Sequence, residues 1–388
     1  MDIVGSTEAY EAFLRAELGE EVVEEGLEEK HRGMAGEGAF PFLRATYWRW
    51  AERIPAIAGD LAAAPRVLAV GDVHLENFGT WRDADGRLVW GVNDYDEAAE
   101  MPYALDLLRL ATSALLACPH GGEPDAARIS WDILRGYREG LDDPEPLVLD
   151  RRLEWLRRLV IVPEDERDGF WGKLEKKRKR FLARPEPERP ALWPRYRDAL
   201  RAALPAGGGG PEMWYRSAGL GSLGRPRWVA RARWCGDWVI REAKAIVPSA
   251  WTRVEGSRGR AVRCTEIATG RHRAPDPWYR VADGIAVRRL SRNNRKIGAD
   301  KAIDPEDESG AEGKLGRDVL LGQRMLEAMG RELAAIHLGT GDVGAAVRED
   351  LATRGDAWLE AAAERAAQDV RSEHRAFRDD WRRRNGGQ

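Results

Sequence analysis

Two short polar stretches carry the residue types of a metal-assisted phosphoryl-transfer site. Residues 71–79 read GDVHLENFG, and Asp94 follows in VNDYDE, 17 positions after Asn77. Asp72 can accept a proton from an attacking hydroxyl, whereas a carboxamide oxygen and a second carboxylate are hard ligands that suit Mg²⁺ bridging nucleotide phosphates. The spacing therefore predicts Asp72 as the base and Asn77 and Asp94 as metal ligands.

Neighbouring elements must bring these side chains together. Residues 66–70, RVLAV, are predicted to form a buried strand that leads into the GDVH loop. The stretch TWRDADGRLVWGV is predicted to form a β-hairpin with Asp85 and Gly86 at its turn, which returns Asp94 to the vicinity of Asn77. Taken alone, each motif is also an ordinary turn cluster, because Gly, Asp and Asn are common turn residues.

A glycine-rich segment and a lysine follow much later, in YRSAGLGSLGRPRWVARARWCGDWVIREAKA. This segment resembles the first strands of a kinase small lobe, with a glycine loop whose amides can approach a phosphate and a lysine near the end of the following hairpin. The residues predicted to contact the nucleotide are Gly219, Gly221, Ser222, Gly224 and Lys244. A glycine-rich loop alone is weak evidence, and a lysine at a strand end is commonly just solvated.

A helix is predicted at 325–338, in MLEAMGRELAAIHLGTG, because apolar residues recur at helical spacing and Gly339 stands where the helix would stop. By itself this pattern indicates a core helix. In kinase-like phosphotransferases such a helix directly precedes the catalytic loop, whereas here the loop lies earlier in the sequence. The motif order therefore predicts a circular permutation, with Lys244 across a cleft from Asp94 although the two are 150 residues apart.

Six segments together resemble the domain of unknown function 2252 family (DUF2252): GDVHLENFG, VNDYDE, MPYALDLLRLA, GLGSLG, REAKAIVPSAW and GRELAAIH. That family is regarded as protein-kinase-like and related to aminoglycoside and choline phosphotransferases, and the resemblance covers roughly residues 34–345. It implies that Asp72 is the catalytic-loop aspartate and that Asn77 and Asp94 are the metal ligands. It also implies that Asp106 is a buried aspartate that braces the loop and that His74 supports the loop geometry. Asp96 is predicted as structural support.

The resemblance also implies the fold, an α+β, protein-kinase-like two-lobed architecture in which the small β-rich lobe is encoded after the catalytic loop. The predicted parts are an N-terminal charged helical segment (1–33), the catalytic-loop part of the large helical lobe (34–145), a helical insert and linker (146–212), the small nucleotide-binding lobe (213–297), and a mobile loop with C-terminal helices completing the large lobe (298–388). Helices are predicted at 7–31, 40–64, 104–117, 128–141 and 347–385.

The sequence departs from the protein-kinase pattern in two places. No lysine stands between Asp72 and Asn77, so that the charge of the transferred phosphoryl group must be stabilised from elsewhere. The candidates for that role are Arg44, Arg295 and Lys296. For the carboxylate that positions Lys244, Glu266 is the first choice and Glu255 the second.

The composition of the chain limits its possible partners and its location. With 62 basic and 65 acidic residues the net charge is −3, which argues against nucleic acid as a partner, and the basic run at 173–190 is predicted to be a solvated helix followed by a proline-rich linker. No stretch approaches the about 20 apolar residues of a membrane span, and the N-terminus lacks a signal pattern. Three scattered cysteines favour neither a disulfide framework nor a zinc site. We expect a cytoplasmic protein without membrane contact.

The predicted activity is Mg²⁺- and ATP-dependent transfer of the γ-phosphoryl group to a hydroxyl of an unidentified small-molecule or protein acceptor. Nucleotidyl transfer (AMPylation) would use the same residues, and a nucleotide-binding pseudokinase without turnover is a further alternative. A metallophosphoesterase also carries Asp-x-His after a strand. The other histidines are not in the Gly-Asn-His or Gly-His contexts that a two-metal hydrolase needs, which disfavours that class.

Overall fold

The computed structural model describes residues 1–36, 38–118, 125–151, 153–161, 164–207, 209–256, 261–294, 296–298 and 312–386. The class is mixed α+β, as predicted. The helices are α1 (Ile3–Leu18), α2 (Glu24–Ala35), α3 (Ala39–Ala45), α4 (Tyr47–Ile57), α5 (Tyr103–Ala117), α6 (Ala126–Asp142), α7 (Glu154–Val160), α8 (Glu164–Ala183), α9 (Pro194–Ala203), α10 (Ala250–Glu255), α11 (Cys264–Ala268), α12 (Glu312–Leu320), α13 (Gln323–His337), α14 (Gly344–Arg354) and α15 (Trp358–Asn385). The strands are β1 (Arg66–Ala69), β2 (Phe78–Arg82), β3 (Leu88–Val92), β4 (Ala99–Pro102), β5 (Leu147–Val148), β6 (Glu212–Tyr215), β7 (Arg227–Trp234), β8 (Asp237–Ala245), β9 (Arg280–Ala282) and β10 (Ile285–Arg289).

Helix α5 forms the centre of the helical part, because every one of its residues is buried. Helices α6, α13 and α15 pack around it. The backbones of α6 and α13 come into direct contact at glycines: a Cβ added at Gly136 would meet the backbone of Glu327, and one at Gly330 would meet that of Ile133. Such close packing requires residues without a Cβ, and it fixes the C-terminal end of α13 beside α5.

Two small antiparallel sheets, β1-β4 and β2-β3-β5, carry the segments around the GDVH loop. The predicted strand at 66–70 is β1, and the predicted hairpin is formed by β2 and β3 with Gly86 at φ +78° in its turn. The register pairs Phe78 with Val92, and the amide of Asn93 donates to the Asn77 carbonyl at 3.2 Å. Asp94 is therefore held next to Asn77, as the hairpin predicted.

A larger antiparallel sheet in the described chain has the order β6-β7-β8-β10-β9. Strands β7 and β8 join through Cys235 (φ +47°) and Gly236 (φ +93°), a pair of positive φ values that suits the twist of a tight hairpin. Because side chains alternate along a strand, the face with Trp228 and Ala243 packs against α9, whereas Lys244 points to the opposite face. The opposite face of the sheet contacts Asp94, which lies just after the end of β3.

Several predicted helices differ in their ends. The helix predicted at 7–31 is two helices, because α1 ends at Gly19, whose φ of +56° does not continue a helix. The segment 40–64 likewise divides into α3, α4 and a 3-10 turn, whereas α5, α6 and the pair α14 and α15 correspond to their predictions.

Most of the predicted mobile loop at 298–316 lies outside the described residues. Within the part of the chain that the structure describes, we find no helix with the length and apolar character needed to cross a membrane.

Candidate active site

Asp106 on α5 fixes the entry of the GDVH loop. Its side chain is fully buried, and it accepts hydrogen bonds from the backbone amides of Val70 (2.7 Å) and Gly71 (2.9 Å). His337, the last residue of α13, donates from Nε2 to Asp106 at 3.1 Å and lies 2.8 Å from the Tyr137 hydroxyl through Nδ1. The loop therefore has a rigid, buried support, in the position that the resemblance implied for Asp106.

Asp72, the predicted base, is held by an arginine that the sequence analysis missed. Arg109, three residues after Asp106 on α5, donates to Asp72 Oδ1 from Nη2 (2.5 Å) and Nε (3.1 Å). Arg109 also donates to the Leu43 carbonyl and lies 5.0 and 5.1 Å from the ring centres of Tyr47 and Trp50. An arginine three residues after Asp106, in the mostly apolar run LDLLRLA, was the available signal.

The environment of Asp72 suits a proton acceptor. Burial raises the pKa of its carboxyl to about 6, although the Arg109 guanidinium acts in the opposite direction. A base works best when its pKa lies near the working pH, because it is then both ionised and able to take a proton. With Oδ1 bound to Arg109, Oδ2 is the oxygen nearer the glycine loop: a Cβ added at Gly221 would lie 3.7 Å from it.

We expect Arg109→Met to lower stability by about 3–5 kcal/mol, because it leaves the Asp72 carboxylate in a largely buried place without its cation. Loss of the cation also raises the pKa of Asp72 further. A carboxyl whose folded-state pKa is raised destabilises the protein when the pH is high enough to ionise it, so that the loss should be larger at pH 8 than at pH 5. Denaturant unfolding at both pH values measures this difference.

The control is Arg158→Met, which removes an arginine from an exposed ion pair with Glu154 on α7. Its stability should change little at either pH. An equal loss for Arg109→Met at pH 5 and pH 8 would contradict the assigned interaction with Asp72.

Asn77 links the two predicted metal-binding segments. Its amide nitrogen donates to the backbone carbonyl of Asp72 at 3.0 Å and to that of Asp94 at 3.1 Å. Both amide protons are thereby used on the protein backbone. The side-chain oxygen Oδ1 is the atom left to bind a cation.

His74 supports the loop from inside. It is buried, its Nδ1 accepts from the Glu76 amide at 3.2 Å, and this bond caps the 3-10 turn Leu75–Asn77. Burial, with the nearby guanidiniums of Arg44 and Arg109, holds the pKa of His74 well below its ordinary value. His74 is therefore neutral near pH 7 and acts on the geometry of the loop.

Lys244, predicted to lie across a cleft from Asp94, is in direct contact with it. Its Nζ is 3.0 Å from Asp94 Oδ1 and 2.7 Å from Asp96 Oδ2, although β8 is encoded 150 residues later. The predicted partners were wrong. Glu266 is exposed and pairs with Arg263, and Glu255 pairs with Arg66 at 2.8 Å.

The physical reason for this correction lies in the spacing of NDYD. Asp94 and Asp96 stand two residues apart, and both carboxylates reach the same ammonium group. Asp96, predicted only as structural support, is thus the carboxylate that positions Lys244 together with Asp94. The Asp-x-Asp pattern was the signal for this role in the sequence.

The two carboxyls differ in ionisation. Burial opposes the charge on Asp94, but Lys244, Lys296 and Arg288 together outweigh it and hold the pKa of Asp94 well below its usual range. Burial and the Asp94 charge raise the pKa of Asp96 to about 6. Asp94 is therefore ionised over a wider pH range than Asp96, and its side chain is the more exposed of the two, at 34% against 12%.

The glycine-rich loop joins β6 to β7 and reaches the GDVH loop. Gly219 (φ +79°) and Gly224 (φ +88°) adopt left-handed backbone conformations that favour glycine, and residues Leu220–Ser222 form a 3-10 turn. A Cβ at Gly221 would lie 2.8 Å from the Arg44 carbonyl, so no other residue fits there without a shift. The predicted nucleotide loop and the predicted base are neighbours in space.

Helix α2 holds this loop in place, which the sequence analysis did not foresee. Lys30 is buried over the Trp48 ring (4.5 Å) and donates from Nζ to the Gly221 carbonyl at 2.9 Å. The Val23 amide donates to the Gly224 carbonyl, also at 2.9 Å. Burial and the nearby Arg225 lower the pKa of Lys30 to about 7.

Two glycines let α2 approach the loop. A Cβ at Gly26 would lie 2.6 Å from the Gly224 amide nitrogen, and one at Gly33 would meet the side chain of Leu220. With Lys30 these residues form one helix face, at spacings of four and three positions. This Gly-x3-Lys-x2-Gly pattern was the signal in the sequence.

Arg44, Lys296 and Arg295 were predicted to stabilise the charge of the transferred phosphoryl group, and they differ in their surroundings. Arg44 lies beside the loop, but its Nη1 is 2.5 Å from Glu76 and its guanidinium lies over the Phe40 ring. Lys296 is exposed and belongs to the electrostatic environment of Asp94. Arg295 lies outside the described residues.

The donor set fits a magnesium ion bound together with phosphate. No group of three or more His, Cys, Asp or Glu side chains in the described ranges forms a metal site by itself. Mg²⁺ that is bound with a nucleotide needs only one or two carboxylates, because phosphate oxygens and waters complete its octahedron. Asp94 can supply one carboxylate, and Asn77 Oδ1 can supply a further oxygen ligand.

Three histidines of the described chain have partners other than the predicted metal ligands. His31 contacts Glu11 at 2.5 Å, His374 contacts the Gly36 carbonyl at 2.9 Å, and His337 is bound to Asp106. His120 lies outside the described residues. This arrangement gives no support to the metallophosphoesterase alternative.

Comparison with known families gives one match. Residues 22–167 match the model of a family described as "Uncharacterized protein conserved in bacteria (DUF2252)". The matched range runs from the approach to α2 into α8 and includes Asp72, Asn77, Asp94 and Asp106, and it supports the family that the motifs indicated. No curated protein and no solved structure matches the chain.

Proposed function

We propose that this protein is a Mg²⁺- and ATP-dependent phosphotransferase that moves the γ-phosphoryl group to an acceptor hydroxyl. The observation that carries the proposal is the convergence of four distant motifs: Lys244 meets Asp94, the tip of the glycine loop lies on Asp72, and Asn77 bonds to the backbone of both aspartates. A phosphoryl-transfer site needs these parts together, since it works by positioning and charge neutralisation.

The topology of the larger sheet supports the same function. The glycine loop joins the first strand to the second, and Lys244 lies on the third. Protein kinases place their glycine-rich loop over the phosphates and their phosphate-binding lysine on the third strand. A kinase-like small lobe formed by residues 213–297 is part of the proposal.

The proposed circular permutation has a structural argument of its own. His337 at the end of α13 donates to Asp106, and the same carboxylate accepts from Val70 and Gly71 at the start of the GDVH loop. The helix end and the loop start are thus neighbours in space, although α13 is encoded after the GDVH loop and after the larger sheet. A chain connecting them directly would give the motif order of ordinary kinase-like enzymes.

Asp72 would orient the acceptor hydroxyl and take its proton. Arg109 holds Oδ1 and so fixes the direction of Oδ2, which faces the glycine loop. The raised pKa of about 6 keeps Asp72 mostly ionised at pH 7 and still basic enough to assist the attack.

Asn77 and Asp94 would hold Mg²⁺, which when bound neutralises charge on the phosphates. Lys244 keeps Asp96 as a partner when Asp94 is engaged by a cation, because Asp96 Oδ2 contacts Nζ independently. Lys244 and Lys296 would supply the positive charge that the GDVH loop itself lacks. Both lie in the electrostatic environment of Asp94.

The proposal is tested by measuring the transfer of labelled phosphate from ATP to acceptor molecules. Purified protein is incubated with Mg²⁺ and ATP labelled at the γ-phosphate or at the α-phosphate, in the presence of dialysed bacterial protein extract and, separately, of pooled hydroxyl-bearing metabolites. Transfer of the γ label, absent with Asp72→Asn, is the expected result. Transfer of the α label instead would establish nucleotidyl transfer, and binding of ATP without transfer of either label would favour the pseudokinase alternative.

A further inference from the structure

Three arginines surround one buried carboxylate next to Lys244. Glu242, two residues before Lys244 on β8, accepts from Arg227 Nη1 at 3.0 Å and from Arg288 Nη2 at 2.7 Å, and Arg216 contacts its other oxygen. The register of β7, β8 and β10 puts Arg227, Glu242 and Arg288 on one face of the sheet, and Arg216 directly follows β6. Arg216, Arg227 and Arg288 with Glu242 are called the arginine cluster.

The arginine cluster has more positive than negative charge. Among the described residues, Arg216, Arg227 and Arg288 all form ion pairs with the same carboxylate, Glu242. Three positive charges therefore share one negative charge, and the cluster has a net charge of +2. Glu242 is fully buried, whereas the side chains of Arg216 and Arg288 are 25% and 24% exposed. A partly buried surplus of cations favours an anion as ligand, since water there screens the charges poorly.

The cluster adjoins the predicted phosphate-binding residues. Arg227 lies opposite Lys244 in the register, and its Nη2 donates to the Ser222 hydroxyl of the glycine loop at 2.6 Å. Arg288 also contributes to the low pKa of Asp94. A row of cationic side chains therefore extends from the glycine loop past Lys244 to Arg288, with the carboxylates of Asp94 and Asp96 beside Lys244.

The same sheet face does not offer a free apolar surface beyond the cluster. Ile240 lies two residues before Glu242, and with Val229 and Trp214 it forms a small buried core. This core is covered by the α8 side chains Leu174, Phe170 and Trp171. A purine base that extended along β8 away from the phosphates would meet charged arginines and then the protein's own helix.

We propose that the arginine cluster is a second phosphate-binding point, so that the site recognises the polyphosphate part of its donor and makes little distinction between bases. The ligand class is nucleoside triphosphates irrespective of base, together with inorganic tripolyphosphate. This inference rests on the proposed function for the identity of the site, but it concerns binding and not transfer. Arginine suits the role, because its guanidinium forms paired hydrogen bonds with phosphate oxygens.

The test is isothermal titration of the full-length protein with ATP, GTP and inorganic tripolyphosphate, each with Mg²⁺. We expect the Kd of GTP to lie within about threefold of that for ATP, and tripolyphosphate to compete with both. Arg216→Gln and Arg288→Gln should each weaken tripolyphosphate binding by at least about tenfold, the loss of one charge-assisted contact. Each variant leaves Glu242 two arginine partners, and circular dichroism and thermal unfolding check that it folds.

The matched control is Arg233→Gln, which removes an exposed arginine from the far end of β7. Its affinities should equal those of the wild type. ATP binding at least tenfold tighter than GTP, or unchanged tripolyphosphate binding in both cluster variants, would overturn the inference while leaving the phosphotransferase proposal intact. Tripolyphosphate binding that depends on the arginines, in a protein that transfers no label, would support the inference and count against the proposed function.

Discussion

Replacing Asp94 by alanine is expected to weaken binding of the Mg²⁺–ATP complex by more than about 100-fold. Changes to residues that merely orient metal ligands typically cost 10–100-fold in affinity, and Asp94 is assigned as a ligand itself. The pKa of Asp94 lies well below the usual range, so that its full negative charge is lost in the variant at any pH near neutrality. Calorimetric titration with ATP in the presence of Mg²⁺ measures the change.

Two further variants separate charge from structure. Asp94→Asn keeps the size of the side chain and should lose most of the affinity, because the carboxylate charge is removed. Asp85→Ala alters an exposed aspartate at the turn of the same β2-β3 hairpin and should bind like the wild type. A Kd for Asp94→Ala within threefold of the wild-type value would exclude Asp94 as a metal ligand.

Replacing Asp72 by asparagine is expected to reduce the rate of transfer by about 10²–10⁴-fold, the usual contribution of a general base, with nucleotide affinity changed only a few-fold. The amide retains an oxygen that can accept from Arg109, so that the loop geometry is preserved. Single-turnover transfer of γ-labelled phosphate, measured beside calorimetric binding, distinguishes a loss of chemistry from a loss of affinity.

The pH dependence provides an independent check on the same residue. The pKa of Asp72 is raised to about 6, so that the wild-type rate should increase as the pH rises from 5 to 7 and the carboxyl ionises. The residual rate of Asp72→Asn should lack this increase. A variant that transfers at the wild-type rate, or that keeps the same acidic limb, would remove Asp72 from the role of base.

Contacts between residues close in sequence could be predicted. The β2-β3 hairpin was indicated by Asp85 and Gly86 between alternating apolar residues, and it places Asn77 next to Asp94. The assignment of a base and two metal ligands to GDVH and NDYD rests on residue types alone and stays a prediction. Lys244 could also be placed beside Asp94, because the resemblance to kinase-like enzymes provided a spatial order that the motif order in the chain does not.

Partners from distant segments could not be predicted from spacing. The choice of Glu266 for Lys244 assumed a helix of ordinary kinase position, whereas Glu266 lies at the surface on α11 and forms a local ion pair with Arg263. Arg109 and Lys30 reach the site only because α5 and α2 bury them against it. Which of many charged residues becomes buried depends on the packing of whole elements, and composition does not report it.

Under the proposed function, the position of α2 on the glycine loop has a consequence for nucleotide entry. Lys30 and Val23 each hold a loop carbonyl, while the loop tip lies on Asp72. A nucleotide that binds between these parts must displace the tip. Loops that close over phosphates move on the microsecond-to-millisecond timescale in many enzymes, and the bonds from α2 are the ones that must yield or move with the loop here.

The most direct test of a metal-assisted nucleotide site is calorimetric titration of the wild-type protein with ATP, once with Mg²⁺ and once with excess EDTA. We expect saturable binding at one site per chain with Mg²⁺, and binding weakened at least tenfold with EDTA, because Asn77 and Asp94 then have no cation through which to hold the phosphates. Absence of binding at millimolar ATP, or equal binding with and without Mg²⁺, would contradict the assignment of these residues to a metal–nucleotide site.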